Sequence, residues 1–582
     1  MERSVPREMV TRLLVAVVVI LAAVPTCARD DDEPEVRPIG GLTFREEFEL
    51  TVVNLLVYVT DRDRLPVTDL GPGDFRVYQD GDLREVTNFQ LYTRDLYRQH
   101  FPAEATDTPG VEPTAVPADG DEADLELRPI WLVIYVDHQN LHPLDRNRVL
   151  KQLQDFIRNN LQPPVQMMVV SRQREAKVLQ DFTSDPSPVL DALRDMRRDT
   201  GGRPSLDQDR KDVLQVIETS RGNSGTSLDS SFRRAEGMIA SFAEQEMNDL
   251  SFTLSSLREI VTMLSGLSGK KAILYVSNGL PMIAGQDLFY ALAKAYDEPS
   301  AITGASRYDQ SRNFRALAGL ANAQDVSFYT VDASGLEVAG FGTADSARPE
   351  DIIAATIGQQ NYQDSLRFLA DATGGLAIVN TNDVSEHLDR IEADFYTYYS
   401  IGYPLVRTGG DKVHEIKVEL RDDPAFDDYH LRYRRRFVEK SLETQVRDKV
   451  LTGLVFPIDD NPMAIELTTG SPAPASQERW TVPMTISFPI ESVALIPEGD
   501  DYVGRVVLFA AARDTEGKQS DIVRQEHEIR IPAGQYEEAQ AKRFTVGANL
   551  LMESGSYTLS VGLMDQVTRA ASYRTERTLV RP

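Results

Sequence analysis

The sequence predicts a multidomain α/β plus β protein. A central doubly wound, mostly parallel sheet is expected between a small N-terminal β domain and a C-terminal β-sandwich of immunoglobulin-like type. Three observations carry this. Between residues 128 and 400, apolar strand-like runs alternate six times with stretches of helical periodicity, as in a sheet covered by helices on both faces. From 456 to 582 strand follows strand, with turns such as Asp514-Thr515-Glu516-Gly517 between them, the pattern of a sandwich. Ahead of the α/β region, "PAEATDTPGVEPTAVPADGDEADLEL" is rich in Pro, Ala and acid and has no periodicity. It reads as an extended, self-repelling linker over 99–127. A chain of 582 residues also exceeds what one core accommodates, so about three or four domains are expected.

The N-terminus opens with "MERSVPREMVTR", carrying Arg3, Arg7 and Arg12, and runs into the uncharged "LLVAVVVILAAV", Leu13 to Val24. That apolar run is shorter than the roughly 20 residues a membrane span needs. With the small residues of "PTCARD" it reads as a secretory signal over 1–28. The chain is therefore expected to be exported, to the periplasm or the extracellular space. No later segment is apolar enough to cross a bilayer, so no transmembrane span is expected in the mature chain. The only cysteine, Cys27, lies at the end of this signal. Cleavage after Ala28 would remove it, and lipid attachment at Cys27 is the alternative. Either way the exported part has no disulfide and no thiolate for catalysis or zinc.

Residues 43–98 read as the small β domain. "LTVVNLLVYVTD" is strand-like, and Asp80-Gly81 between "FRVY" and "LREVTNFQ" is a hairpin turn signal. The α/β domain, 128–400, begins with "IWLVIYVD", a continuous apolar strand of the kind buried on both faces. A helical stripe follows at Val149, Leu150, Leu153, Phe156, Ile157 and Leu161. Strands are expected at "VQMMVVSRQ" and "AKVLQDFT", then a helix face at Val189, Leu193 and Met196. A polar, Gly-containing connection is expected over 200–227, then a long helix to Leu264 and the buried strand "KKAILYVSNG". Helix "FRALAGLANAQD", strand "VSFYTVD", helix "SLRFLADATGG", strand "LAIVN" and a closing helix marked by Val384, Leu388, Ile391 and Phe395 complete it. Residues 401–455 read as a β extension and a connecting helix, and 456–582 as the sandwich. In doubly wound sheets ligands sit at the C-terminal ends of the strands, which points to the loops after "IYVD" and "LYVS".

These phrases together resemble a von Willebrand factor A domain. They are closer still to the VWFA-related domain common in exported acidobacterial proteins, whose β lead-in is similar to "VTDRDRLPVTDLGPGDFRVYQDGDLREVTNF" and whose following segment is similar to "YYSIGYPL" and "HEIKVEL". The resemblance spans about 45–435. It implies an A-domain fold, and it implies a place where such domains often hold Mg²⁺: Asp-x-Ser-x-Ser after the first strand, a loop Thr, and Thr-Asp-Gly after the fourth strand. Here Asp137 stands in the first position, but Gln139 and Leu141 replace the serines and Ser277-Asn278-Gly279 replaces Thr-Asp-Gly. Thr226 is the matching loop threonine. One carboxylate and one hydroxyl are lost, and Mg²⁺ needs about six oxygens. The expectation is a degenerate adhesion site built on Asp137, Gln139, Thr226, Ser277 and Asn278. No cofactor is expected, and Mg²⁺ could at most be held weakly by Asp137, Thr226 and Asn278.

Other chemistry is thinner. His138 and His142 are four apart, as in helical zinc sites, but Gln139 stands where a general-base Glu would be and the segment follows a strand. Asp332-Ala333-Ser334 mimics half an adhesion motif and reads as a capped loop. There is no G-x-S-x-G, no phosphate loop and no dinucleotide fingerprint. Asp and Glu outnumber Lys and Arg 90 to 62, a net charge of −28, which repels phosphate backbones and argues against nucleic acid as a partner. "RYRRRF", Arg432 to Phe437, reads as a strand edge neutralising nearby acids. The expected function is therefore an exported, non-enzymatic protein that binds other proteins of the envelope or extracellular space, as adhesion or scaffold. The alternatives are Mg²⁺-dependent binding through the residual site and an envelope hydrolase with an unrecognised site.

Overall fold

The computed structural model describes residues 50–100, 129–336 without 174, 199 and 222–227, and 349–581 without 407–409, 457, 459, 476–478 and 516. The signal segment with Cys27, nearly all of the linker and Thr226 lie outside the described residues.

The central sheet has six strands: β1 (Ile130–Asp137), β2 (Val165–Arg172), β3 (Ala176–Thr183), β4 (Lys270–Ser277), β5 (Val326–Asp332) and β6 (Ala377–Ile378). Their order is β6-β5-β4-β1-β2-β3. Every pair is parallel except β2–β3. The chain switches direction between β1 and β4, as in doubly wound sheets. Leu132 to Val136 of β1 and Ala272 to Val276 of β4 are fully buried, because helices cover both faces. β3, at the edge, alternates between partly buried and exposed residues.

Among the described residues, eight helices of more than ten residues accompany this sheet: α1 (Pro143–Asn160), α2 (Pro186–Met196), α3 (Arg203–Arg221), α4 (Leu228–Met263), α5 (Gln286–Tyr296), α6 (Ser311–Ala323), α7 (Pro349–Thr373) and α8 (Ser385–Tyr396). The period-2 alternation of β1 sends Leu132, Ile134 and Val136 into a core with α1, α2 and α8. Val133 and Tyr135 enter a second core with α4, α6 and α7.

The stretch 200–227 differs from expectation, since it contains α3. Its apolar residues are sparse; among the described residues Leu206, Val213, Leu214 and Ile217 are the ones that join a core. They join Ile239 and Phe242 of α4 and Leu288 and Phe289 of α5 in a third core. Tertiary burial, more than local pattern, makes this segment helical. α4 runs for 36 residues, about 54 Å at helical rise, far longer than the strands. With α3 and α5 it builds a helical cap near the strand ends.

The segments 43–98 and 401–455, expected as separate pieces, build one module together. Leu50–Thr60 lies between Tyr398–Val406 and His430–Arg432 in a four-stranded antiparallel sheet completed by Asn88–Tyr92. A second sheet holds Arg436–Glu439, Lys412–Leu420, Phe75–Gln79 and Asp82–Arg84 in that order. The two enclose a core of Val53, Leu55, Val57, Tyr399, Ile401 and Ile416, among others. The Asp80-Gly81 hairpin is present, with φ of 54° and 91°, the primed-turn conformation. Its return strand is only Asp82–Arg84, so the pairing the first segment needs comes from beyond the α/β domain.

Helix α9 (Leu442–Gly453) leads into two antiparallel sheets. One contains Glu466–Thr469, Trp480–Pro489 and Arg543–Met552. The other contains Asp501–Asp514, Val523–Pro532, Gly555–Asp565 and Ala571–Val580. They share a core with Ile486 and Phe488 from one sheet and Leu508, Val561 and Leu563 from the other, while α9 packs Val446 and Val450 against Phe509 and Tyr573 on the outer face. Among the described residues no helix is long and apolar enough to cross a membrane.

The β module is locked to the central sheet through Asp394 of α8. Arg432 grips its carboxylate with both terminal nitrogens, at 2.8 and 2.6 Å, and the Tyr329 hydroxyl donates to it at 3.2 Å. Lys270 donates to the Asp394 carbonyl from between the rings of Tyr58 and Tyr398, 4.7 and 4.6 Å away. Two more arginines of "RYRRRF" are paired as well, Arg434 with Asp325 and Arg436 with Glu415. Removing one partner of a buried ion pair typically costs about 3–5 kcal/mol. Asp394→Ala is therefore expected to lower stability by about that amount, read as an earlier urea midpoint by circular dichroism.

Candidate binding face at the strand ends

The parallel register of β1 and β2 sets Asp137 beside Arg172. Both are buried, and Arg172 Nη1 donates to Asp137 Oδ1 at 3.1 Å. The other carboxylate oxygen accepts from the Tyr275 hydroxyl at 2.6 Å and from Asn140 Nδ2 at 2.8 Å. Burial, reinforced by the Asp137 charge, raises the Tyr275 hydroxyl well above the ordinary tyrosine range, so it stays a neutral donor. Asp137 thus has a guanidinium, a phenol and an amide as its shell.

The residues beyond Asp137 form a 3-10 turn, His138–Asn140. Arg146 donates to His138 Nδ1 at 3.0 Å. Leu141 is fully buried in the core with α1. The Gly202 amide donates to the His138 carbonyl at 3.0 Å, and this lays the start of α3 over the turn. A Cβ at Gly201 would stand 2.1 Å from the Leu141 carbonyl oxygen, and one at Gly202 would stand 2.6 Å from the Gln139 side chain. At 201, where the neighbour is backbone, only a glycine permits that approach. Gln139 is half-buried beneath it.

After β4, Ser277 Oγ accepts from the Gly279 amide at 3.2 Å. Asn278 donates through Nδ2 to Asp145 at 3.0 Å, and its amide donates to the Asn140 carbonyl at 3.0 Å. Asn278 Oδ1 is buried without a hydrogen-bond partner among the described residues. After β5, Asp332 is occupied by the Ser334 amide at 3.0 Å and by Gln363 Nε2 at 2.8 Å. Of the expected site residues, the fold brings Asp137, Gln139, Ser277 and Asn278 to one end of the sheet. Thr226 lies outside the described residues.

This set does not fit a hard divalent cation. Asp137 is already neutralised by Arg172, Leu141 supplies no oxygen, and Asn278 offers a single unpaired one, where Mg²⁺ needs about six. The zinc arrangement does not form either: His142 donates to Asp207 at 2.7 Å while His138 meets Arg146. Among the described residues no three His, Cys, Asp or Glu side chains come together as a metal group.

The strand ends instead border a crevice of about 210 Å³, lined by His142, Arg203, Asp207, Lys211, Asn278 and Tyr362, among others. Arg203 Nε meets Asp207 at 3.1 Å and its guanidinium lies 4.3 Å over the Tyr362 ring. Arg210 Nε donates to Asp287 at 2.6 Å. The hydrogen bond to Asp207 raises His142 above its ordinary pKa. Beneath the crevice, Glu246 accepts from the Tyr362 hydroxyl and, at 2.8 Å, from the Gly285 amide. Burial pushes the Glu246 carboxyl up to about 7. Leu144, Leu336 and Ile353, on the segments that leave β1 and β5, are exposed. Sequence reasoning missed Arg172, Tyr275, Asn140 and the cations of α3. An arginine closing the apolar run "VQMMVVSR" was the available signal for the first.

No protein-family model matches the chain, and no curated protein matches it. Among solved structures it is similar to the vWF domain of the type V pili tip protein Mfa5 from Porphyromonas gingivalis, at 14% identity, 46% of this chain, 94% of that one and a TM-score of 0.23. It is also similar to manganese-loaded TRAP from Plasmodium vivax, at 9% identity, 53% and 93% coverage and a TM-score of 0.20. A third likeness is to the pilus adhesin SpaC from Lactobacillus rhamnosus GG, at 9% identity, 78% and 56% coverage and a TM-score of 0.24.

Two outcomes follow. Arg172→Met strands a buried carboxylate and is expected to cost about 3–5 kcal/mol, while the double variant with Asp137→Asn recovers most of it; urea denaturation measures both. Glu246 binds its proton more tightly folded than unfolded, so its contribution is complete below pH 4.5 and is lost as pH rises through about 7. Between those limits the wild type should lose on the order of 3 kcal/mol relative to Glu246→Gln, read from paired denaturation curves at each pH.

Proposed function

We propose that this chain is an exported, non-catalytic binding protein of von Willebrand factor A type. It grips other proteins of the envelope or extracellular space through the face at the C-terminal ends of its central strands, without a metal. The observation that carries this reading is the Arg172–Asp137 pair, 3.1 Å apart and buried. A fixed guanidinium occupies the charge-balancing role that a cation would otherwise take, so the turn after β1 is held in shape by the chain itself. Around it, exposed Leu144 and Leu336 beside the charged groups of α3 give the mixture of apolar anchors and polar rim on which protein contacts are built. The basic and apolar leader over 1–28 supports export. The C-terminal pair of sheets is read as an immunoglobulin-like spacer that carries this face outward.

The test is affinity capture from native envelope with the full mature chain. Capture is expected to survive millimolar EDTA and to fall at least about tenfold in Leu144→Arg combined with Lys211→Glu. Capture that disappears with chelator and returns with Mg²⁺ would show that a metal is required. Capture unchanged in the double variant would place the contact elsewhere.

A further inference from the structure

The opposite end of the central sheet holds a cavity of about 920 Å³ between the N-terminal ends of β4 and β5 and the outer face of the sheet containing Leu50–Thr60. That is the size range of small-molecule sites, roughly 300–1,000 Å³. One wall is apolar and largely aromatic, with Leu56, Tyr92, Tyr97 and Tyr398. Its charged lining is Lys270, Lys271, Arg434, Lys440 and Lys449 against Asp325, Glu439 and Asp448.

The charges here do not balance. Lys440 is taken by Asp448 at 2.5 Å, Arg434 by Asp325 and Lys449 by Asp460 at 2.6 Å, which leaves Lys270 and Lys271 against the single carboxylate of Glu439. Lys270 is engaged by the Asp394 carbonyl and two tyrosine rings. Its neighbour Lys271 points to the other face of β4 and is only 5% exposed. Among the described residues its one partner is the Leu267 carbonyl, at 3.0 Å. An ammonium has three donors, and a buried charge without a counter-charge is costly. Burial first, then the Lys440 and Arg434 charges, push Lys271 down to about 7. A ligand that brought one negative charge would complete the set. A dianion such as phosphate would exceed it, and a ligand without apolar surface would leave the aromatic wall wet.

We propose that this cavity binds an amphipathic monocarboxylate, with its carboxylate on the Lys271 ammonium and its apolar body passing round the N-terminal end of β4 to the wall formed by Leu56, Tyr92 and Tyr398. The site is independent of the binding face at the other end of the sheet, and either can fail without the other.

The test uses the full mature chain and calorimetric titration with decanoate, decanol and decylamine. Decanoate is expected to bind one per chain and about tenfold tighter than decanol, the advantage of a charge-assisted hydrogen bond, and decylamine is expected not to bind. Lys271→Met should abolish the advantage of decanoate over decanol, and Lys271→Arg should keep it. Lys271→Met removes a buried charge and is not expected to unfold the chain; circular dichroism checks this. Leu56→Trp, on the opposite wall, should weaken decanoate and decanol alike. Equal affinities for decanoate and decanol, no decanoate binding, or binding at many sites untouched by both Lys271→Met and Leu56→Trp would each overturn the proposal.

Discussion

The buried pair between Arg172 and Asp137 is the constraint around which the central domain is arranged. Both residues end strands, and parallel register places them side by side. A slip of one residue would send each side chain to the opposite face of the sheet and leave two isolated charges in an apolar core, which costs several kcal/mol per ion. The pair therefore fixes register as well as charge. Tyr275 from β4 reaches the same carboxylate, so three adjacent strands converge on one group. The turn after β1 inherits its shape from that convergence, and α3 docks on the turn through Gly201 and Gly202.

A second constraint works at the other end. Asp394, Arg432, Lys270, Tyr58 and Tyr398 join five separate elements across the seam between the β module and the sheet. None of these groups could be buried alone. Together they satisfy one another, as buried polar networks must. The molecule is thus pinned at both ends of its sheet by ionic clusters, and the apolar layers lie between them.

Much of the sheet was legible because burial on two faces writes itself as unbroken apolar runs. "IWLVIYVD" and "AILYVS" needed no partner to be recognised as strands. The Asp80-Gly81 turn was legible for a similar local reason. What could not be read was everything decided by distant partners. α3 has four packing apolar residues in 19, too few to announce a helix before α4 and α5 are in place. The pairing of Leu50 with Val406 spans hundreds of residues and leaves no local mark. At the site, the positions of Asp137 and Asn278 could be placed from the strand ends, but Arg172 and Tyr275 sit inside runs read only as core. Their role emerges once the register aligns them.

The sheet pairing of Leu50–Thr60 with both Tyr398–Val406 and His430–Arg432 has a mechanical consequence. The chain enters and leaves the α/β domain through neighbouring antiparallel strands, so that domain is an insertion in a clasp. Tension applied between the N-terminal side of Leu50 and the terminal sandwich would pull the paired strands from the same end, since Leu50 lies opposite Val406, and would peel those backbone hydrogen bonds one after another. The inserted domain and its loops would stay slack until the clasp tore.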